Sequence, residues 1–505
     1  MERYDAVIIG AGPDGLIAAH KLASAGLNIV VVERREATGG CALTRTFHPG
    51  FAASPFGDEL APIPASLFHR IDLPRHGGIL MPTSASSCLS AHGTTVIYRD
   101  EVRMARVAGR SGTALVKLCR EVKRVRAAIA RRAGSVSPNA GAGPSGRNIA
   151  RRPWPGEAWA GSSLAEALDA SLTDSNVSLH LAAHVLSGNA DCPYRMGTAL
   201  HLLRGLEASG LPRGGLVTLA RALDRAARAA GAIIRVNAEV SGILVRRGTA
   251  AAVVLSGGEE ISGRAVISTL DLKRTFLDLV AWNELPQIFA KRVSQFRMAG
   301  ATARVLFALE ALPEFEFANN AHETAPGPVH VVDSFAFLSE VHGKWRAGIL
   351  AEKLPVTLRV PSLTDPSLAP EGGAVMTATL GGVPATLLKG EWNTQTRGKL
   401  VKTALLAAER AAPGLAARVV GAKTIIGKDA ADELGWTAGD FEGGELAPDQ
   451  ALGFRPFAQW QEGRTAIRGL YLGGPSAAPS PFFLGAGGDQ AGASLFADIK
   501  NRHLK

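Results

Sequence analysis

Three glycines and one carboxylate stand where phosphate and ribose chemistry could be done. They are Gly10, Gly12 and Gly15 in the spacing Gly-x-Gly-x-x-Gly, and Glu33, 23 residues after the first of them. Gly10 permits a tight turn, Gly12 lets a pyrophosphate approach the backbone, and Gly15 lets a helix pack closely on a sheet. The free amides and the dipole of the helix that follows then hold negative charge. The elements that must position these groups are legible on either side. Ala6 to Ile9 is apolar and β-branched enough to be a buried strand, and the period turns helical through Leu16, Ala19, Leu22 and Ala23. A second strand, Val30-Val31-Val32, ends in Glu33, whose carboxylate suits two ribose hydroxyls, whereas an Arg would suit a 2′-phosphate better. Strand, glycine turn, helix, strand and terminal acid in this order predict a dinucleotide-binding βαβ unit.

The next motif narrows the dinucleotide. Glu33 followed six residues later by Gly39-Gly40 resembles the FAD enzymes of the glutathione-reductase-like superfamily, although the first motif alone also suits NAD. Further on, Glu33-Arg34-Arg35, Gly39-Gly40 and His48-Pro49-Gly50-Phe51 resemble the phytoene-desaturase-like flavoproteins of the flavin amine oxidase superfamily. They match in particular the branch of pyridine nucleotide-disulfide oxidoreductase domain-containing proteins. Asp72-Leu73-Pro74-Arg75-His76-Gly77 and Asp365-Pro366-Ser367-Leu368-Ala369-Pro370-Glu371-Gly372 resemble that branch too, the latter as a structural turn.

The resemblance implies FAD as cofactor, held by Gly10, Gly12, Pro13, Asp14, Gly15, Glu33, Arg34, Gly39, Gly40 and Cys41. It puts the Val240 backbone at the adenine and Gly473-Gly474 at the phosphate–ribityl arm. Gly485-Ala486 opens a last helix aimed at the flavin pyrimidine, where a positive helix end stabilises the charge of the reduced ring. Ser54, Tyr194, Phe482 and Phe483 are implied to line the substrate cavity. Arg304 occupies the strand position where several related oxidases carry a Lys. A permanently charged Arg cannot act as a base there, so its catalytic role would be to orient an anionic or carbonyl group; the other reading is a solvent-facing strand-edge residue. Two departures bear on substrate. Ala478-Pro479-Ser480-Pro481-Phe482 replaces the usual His-Pro-Gly-Gly-Gly, and Gly443-Gly444-Glu445-Leu446 lacks the Asn-x-x-His of the branch.

The chain of 505 residues is long enough for two or three domains, and 46% hydrophobic residues with 57 glycines suit an α/β enzyme. The predicted class is α/β: a Rossmann-like FAD-binding domain from residues 1–75, 210–290 and 425–505, and a discontinuous α+β substrate domain from 76–209 and 291–424. Strands over Thr302–Leu309, Val329–Val332 and Ala374–Leu380 and a helix over Thr394–Ala412 belong to the latter. Residues 111–133 predict a basic amphipathic helix, either a surface helix or a site of peripheral membrane contact. Residues 134–162 read as a long loop and Ser162–Glu207 as helical.

Several function classes drop out. The net charge of +10 comes without a nucleic-acid motif, so no nucleic-acid partner is expected. Cys41, Cys88, Cys119 and Cys192 have no CxxC spacing and read as free thiols. His180 and His184 sit four apart without a third ligand, so no metal is expected. No apolar run reaches a membrane span, and Glu2 with a core strand from Asp5 leaves no room for a signal peptide; the chain reads as cytoplasmic, with membrane association left open. The expected chemistry is desaturation of a small hydrophobic substrate, polyene or isoprenoid in kind, with oxygen or a quinone as acceptor because only one dinucleotide fingerprint exists. A flavin amine oxidase, a redox-silent isomerase and a flavin-bound assembly protein are the alternatives.

Overall fold

Ala6–Ile9 pairs with Ile29–Val32 on one side and Val266–Ser268 on the other, all parallel, and lies at the centre of a five-stranded sheet. In the computed structural model the described residues are 3–58, 61–81, 85–107, 111–133, 153–205, 210–315, 327–460, 462–501 and 503–504. The sheet runs Leu470–Leu472, Val266–Ser268, Ala6–Ile9, Ile29–Val32, Ile233–Arg235. Its strands come from three separate stretches of chain. A parallel sheet must be covered on both faces, and alternation along each strand shows how. Ala6 and Ile8 face a layer of three helices, Pro13–Ser24, Leu216–Ala229 and Ala486–Lys500, through Leu16, Leu22, Leu223 and Leu495. Val7 and Ile9 face the antiparallel ribbon Val240–Arg246, Thr249–Leu255, Glu260–Ser262, together with Phe276 and Phe289.

The second sheet has seven strands in the order Val419–Ile425, Thr302–Leu309, Ala374–Gly381, Val356–Arg359, Val329–Val331, Ala85–Ser90, Gly93–Tyr98. It is antiparallel except where Val329–Val331 lies parallel to Ala85–Ser90. The predicted strand Thr302–Leu309 forms with those bounds. Its odd residues Ala303, Val305, Phe307 and Leu309 pack under the helix Thr394–Ala411, while Leu306 and Ala308 meet Phe51 and Ala53 on the opposite face. Period two therefore sends Arg304 to the inner face, toward the Phe51–Asp58 segment, and not to solvent.

One expectation needs correction. The helical stretch expected from Ser162 is broken into Leu164–Asp169, Ser175–Val185 and a 3-10 turn at Thr198–Arg204. The breaks have local causes: Ser163 and Glu166 form a capping box, and Asp174 caps the second helix by accepting from the Asn176 and Val177 amides. Most of the 134–162 loop lies outside the described residues, as do Arg151, Arg152 and Glu207. The basic amphipathic helix forms at Gly112–Ala133, but its apolar face is spent internally: Leu115, Leu118 and Val122 pack against Leu164, Leu168 and Leu179. No helix of the described residues is long and apolar enough to cross a membrane.

Candidate functional site: a cleft across the strand ends

The carboxyl ends of all five parallel strands open into one cleft, the place where an open α/β sheet binds ligands. Across the sheet its walls are Pro475 beyond the first strand, Thr269–Asp271 beyond the second, Gly10 and Gly12 beyond the third, Glu33–Arg35 beyond the fourth and Ala238–Val240 beyond the fifth. Each loop is a short overrun of a strand, so the sheet sets their spacing.

The first glycine turn shows why these residue types recur. Gly10 has φ of +96°, and a Cβ there would lie 2.6 Å from Thr269 Oγ1. A Cβ on Gly15 would run into the Gly10 carbonyl, because the helix starts directly against the turn. Pro13 opens that helix at its first position, and its N-cap Gly12 offers no side-chain cap, which leaves the first-turn amides to whatever anion enters. Gly39 and Gly40 form a second turn tied to the first, the Gly39 amide donating to the Ala11 carbonyl at 2.8 Å. Glu33 is 7% exposed and accepts from the Ala11 amide at 2.9 Å and the Arg35 amide at 3.0 Å. A carboxylate has about four lone-pair sites, so two remain for ribose hydroxyls.

The residues present therefore fit a flavin dinucleotide. An uncapped helix start lies beside a glycine turn that side chains would fill, and a buried acid ends the next strand. Another part of the wall is more apolar: Cys41, Ala61, Pro481, Phe483 and Leu484, with Leu434, Trp436 and Phe441 from a segment that lies over the cleft. Glu433 anchors that segment by pairing with Arg45 while its carbonyl accepts from Arg34. Thr437 donates to Asp271 at 2.9 Å. Phe56, Trp436 and Phe441 stack within 6.1 Å of one another.

The sequence-based site residues distribute unevenly. Gly10, Gly12, Pro13, Asp14, Glu33, Arg34, Gly40, Cys41, Val240 and Phe483 line the cleft. Gly15, Gly39, Gly473, Gly474, Gly485 and Ala486 stand behind it. Gly474 backs onto the Thr269 carbonyl, and Gly485 caps the last helix against Ile17. Burial and the nearby Asp14 charge push the Cys41 thiol up to about 11, so it stays protonated at neutral pH. No disulfide joins the four cysteines among the described residues.

Arg304 is neither an oriented catalytic cation nor a solvent-facing one. It is 3% exposed, donates to Asp58 Oδ1 at 2.7 Å and to Thr379 at 2.8 Å, and Thr377 donates to the other Asp58 oxygen at 2.6 Å. Two of its guanidinium nitrogens are held in this way, the Nε is buried without a partner, and the assembly does not line the cleft. Ser54 is buried against Thr44 at 3.2 Å, and Phe482 is packed among Ile129, Trp154 and Leu200. Tyr194 is 57% exposed beside Phe335. These three are not among the residues lining the cleft.

Sequence reading missed Thr269, Asp271, Arg274, Trp436 and Glu442, all cleft-lining. A usable signal existed only for Thr269 and Asp271, which directly follow the strand Val266–Ser268. Glu442 pairs with Arg204; burial works against its charge, but Arg204 and His201 hold it below the usual carboxylate range. A third histidine was missed as well. His330 on its strand meets His184 at 3.2 Å and Thr357 at 3.0 Å, while His180 bonds Ser86 at 2.9 Å. Burial drives His180 and His184 down to about 3 and His330 well below its ordinary value, so all three are neutral. No group of side chains among the described residues has the arrangement of a metal site.

Residues 8–78 match the NAD(P)-binding Rossmann-like domain family, and residues 147–301 match the flavin containing amine oxidoreductase family. The Rattus norvegicus pyridine nucleotide-disulfide oxidoreductase domain-containing protein 2 is 28% identical over 99% of this chain and 94% of its own length. Phytoene desaturase (neurosporene-forming) of Rhodobacter capsulatus is 26% identical over 54% of this chain and 51% of its own. Among solved structures, putrescine oxidase bound to putrescine aligns with a TM-score of 0.63 at 17% identity, covering 99% of this chain and 100% of that one. An oxidoreductase from Methanosarcina mazei aligns at 0.62 and 16%, covering 98% and 99%. At such identities the solved structures speak to the fold alone. Glycine cradle, strand-end acid, family matches and full-length relatives converge: the chain is similar to the flavin-dependent oxidoreductases of the amine oxidase superfamily.

Proposed function

We propose that the chain uses FAD to desaturate a hydrophobic substrate, polyene or isoprenoid in kind. Bound in the cleft, the flavin supplies a hydride acceptor at N5. The chain's part is to hold the dinucleotide on Gly12, the first helix and Glu33, and to present an apolar, water-poor wall of Trp436, Phe441, Pro481, Phe483 and Leu484 beside it. That wall is the observation that carries the reading. An uncharged C–H substrate needs positioning and exclusion of water more than a charged partner. Arg304, permanently charged and held by Asp58, supports it, because that strand position offers no base. Oxygen or a quinone is the proposed acceptor.

One observation favours a second reading, a flavin amine oxidase. Glu442 is an ionised carboxylate on the cleft wall and could meet a substrate ammonium, although Arg204 already neutralises it. Anaerobic mixing of the FAD-loaded protein with polyenes and with primary amines separates the two. Bleaching of the flavin spectrum by polyenes alone is expected. Bleaching by amines, with loss in Glu442→Gln, would replace the desaturase reading with the second.

A further inference from the structure

Asp14 is a carboxyl group in the place prepared for an anion. It is the second residue of the first helix and lines the cleft with Gly10, Gly12, Pro13 and Gly40. Its Oδ1 accepts from the Gly488 amide at 3.1 Å, in the first turn of the last helix. The side chain therefore bridges the starts of the two helices expected to face the cofactor. A carboxylate there would compete with the ligand's phosphates for the positive end of the first helix.

The surroundings do not neutralise it. Among the described residues Asp14 has no ion pair. On its own helix, Lys21 is taken by Asp489 at 2.9 Å, and Arg70 from the Ala65–Ile71 helix pairs with the same Asp489. His20, on the same helix, is lowered by burial and by Arg70. Across the cleft, Arg34 and Arg35 are bound to the Glu433 and Gly40 carbonyls, and Arg274 to the Gly435 carbonyl at 3.2 Å. The remaining charged wall residues, Glu33, Glu239, Asp271 and Glu442, are acids, and Cys41 stays a thiol. Even without a ligand, burial pushes Asp14 up to about 7, against the opposing effect of the Gly488 hydrogen bond.

We infer that Asp14 holds the cofactor's diphosphate end as a neutral acid, so that dinucleotide binding takes up one proton. The acid O–H then donates to a phosphate oxygen, and the helix dipoles are left to the phosphates. This rests on the FAD reading above. The sign follows from linkage. A bound anion raises Asp14 further, so affinity is full below about 7 and is lost as pH rises through that value.

The test is fluorescence titration of the full-length, flavin-stripped protein with FAD between roughly pH 6.5 and 9, with calorimetry in buffers of different ionisation enthalpy to count protons. Wild type is expected to weaken about tenfold per pH unit above the Asp14 titration, with close to one proton taken up. Asp14→Asn is expected to bind equally tightly across the range, and Asp14→Ser to behave alike, which covers a folding defect in either one. A flat wild-type profile, or a slope that survives in both variants, overturns the inference while leaving the FAD reading intact. No FAD binding at any pH in wild type overturns both.

Discussion

The cofactor cleft and the inner face of the seven-stranded sheet solve opposite problems. The cleft's glycine turns are built from backbone: helix amides, turns and strand overruns meet within about thirty residues of chain, and the Glu33, Arg35 and Thr269 side chains hold them. The sheet face is built from side chains that are far apart in sequence. Arg304, Asp58, Thr377 and Thr379 come from three segments, and His180, His184, His330, Ser86 and Thr357 from four. Backbone sites tolerate no added atoms. Side-chain sites tolerate substitution only when the whole set changes together.

The strongest way to break the backbone site is to add a side chain to the turn. Gly15→Val places branched carbon against the Gly10 carbonyl, and the expected outcome is loss of bound flavin with a destabilised or unfolded chain, read by flavin absorbance and thermal melting. On the sheet face, Asp58→Ala strands a buried guanidinium and is expected to cost about 3–5 kcal/mol in denaturant unfolding. Asp58→Leu with Arg304→Met is expected to recover most of that. Equal damage from the single and the double change would show that the pair does more than satisfy itself.

The histidine cluster sharpens the contrast through pH. Folded His180 is held well below its ordinary 6.5, so its stability contribution is complete above that value and falls with pH toward about 3. Between pH 7 and 5 the loss is about 2 kcal/mol for this one residue. His180→Gln, which keeps a partner for Ser86, is expected to lose that much less stability than wild type over the interval. The smallest effect belongs to one side chain of the backbone-built site. Glu33→Gln can keep only one of the two amide acceptances and should weaken FAD about tenfold, roughly 1.4 kcal/mol, with little change in melting temperature.

The same contrast explains what could be read from the chain. Gly10, Gly12, Glu33 and the strand Thr302–Leu309 were legible because their causes are local: turn sterics, helix starts and period two act over a few residues. Arg304 was misjudged because its partner Asp58 lies 246 residues away and nothing local marks the two as a pair. Tyr194 and Phe482, both expected in the substrate cavity, end at the surface and in the core for the same reason. An aromatic residue in a glycine-rich stretch carries no sign of whether it ends at the surface or in the core.

By itself, then, the sequence determined a dinucleotide cleft at the head of a parallel sheet, because phosphate binding by backbone needs particular residues at particular short intervals. The tertiary structure decided which side chains stand free beside that cleft. It closed Arg304 onto Asp58, joined His330 to two helical histidines, folded Trp436 and Glu442 over the cofactor path and left Asp14 between two helix starts. Those outcomes depend on which distant groups meet in a low-dielectric interior, where an unpaired charge is costly and a paired one is silent.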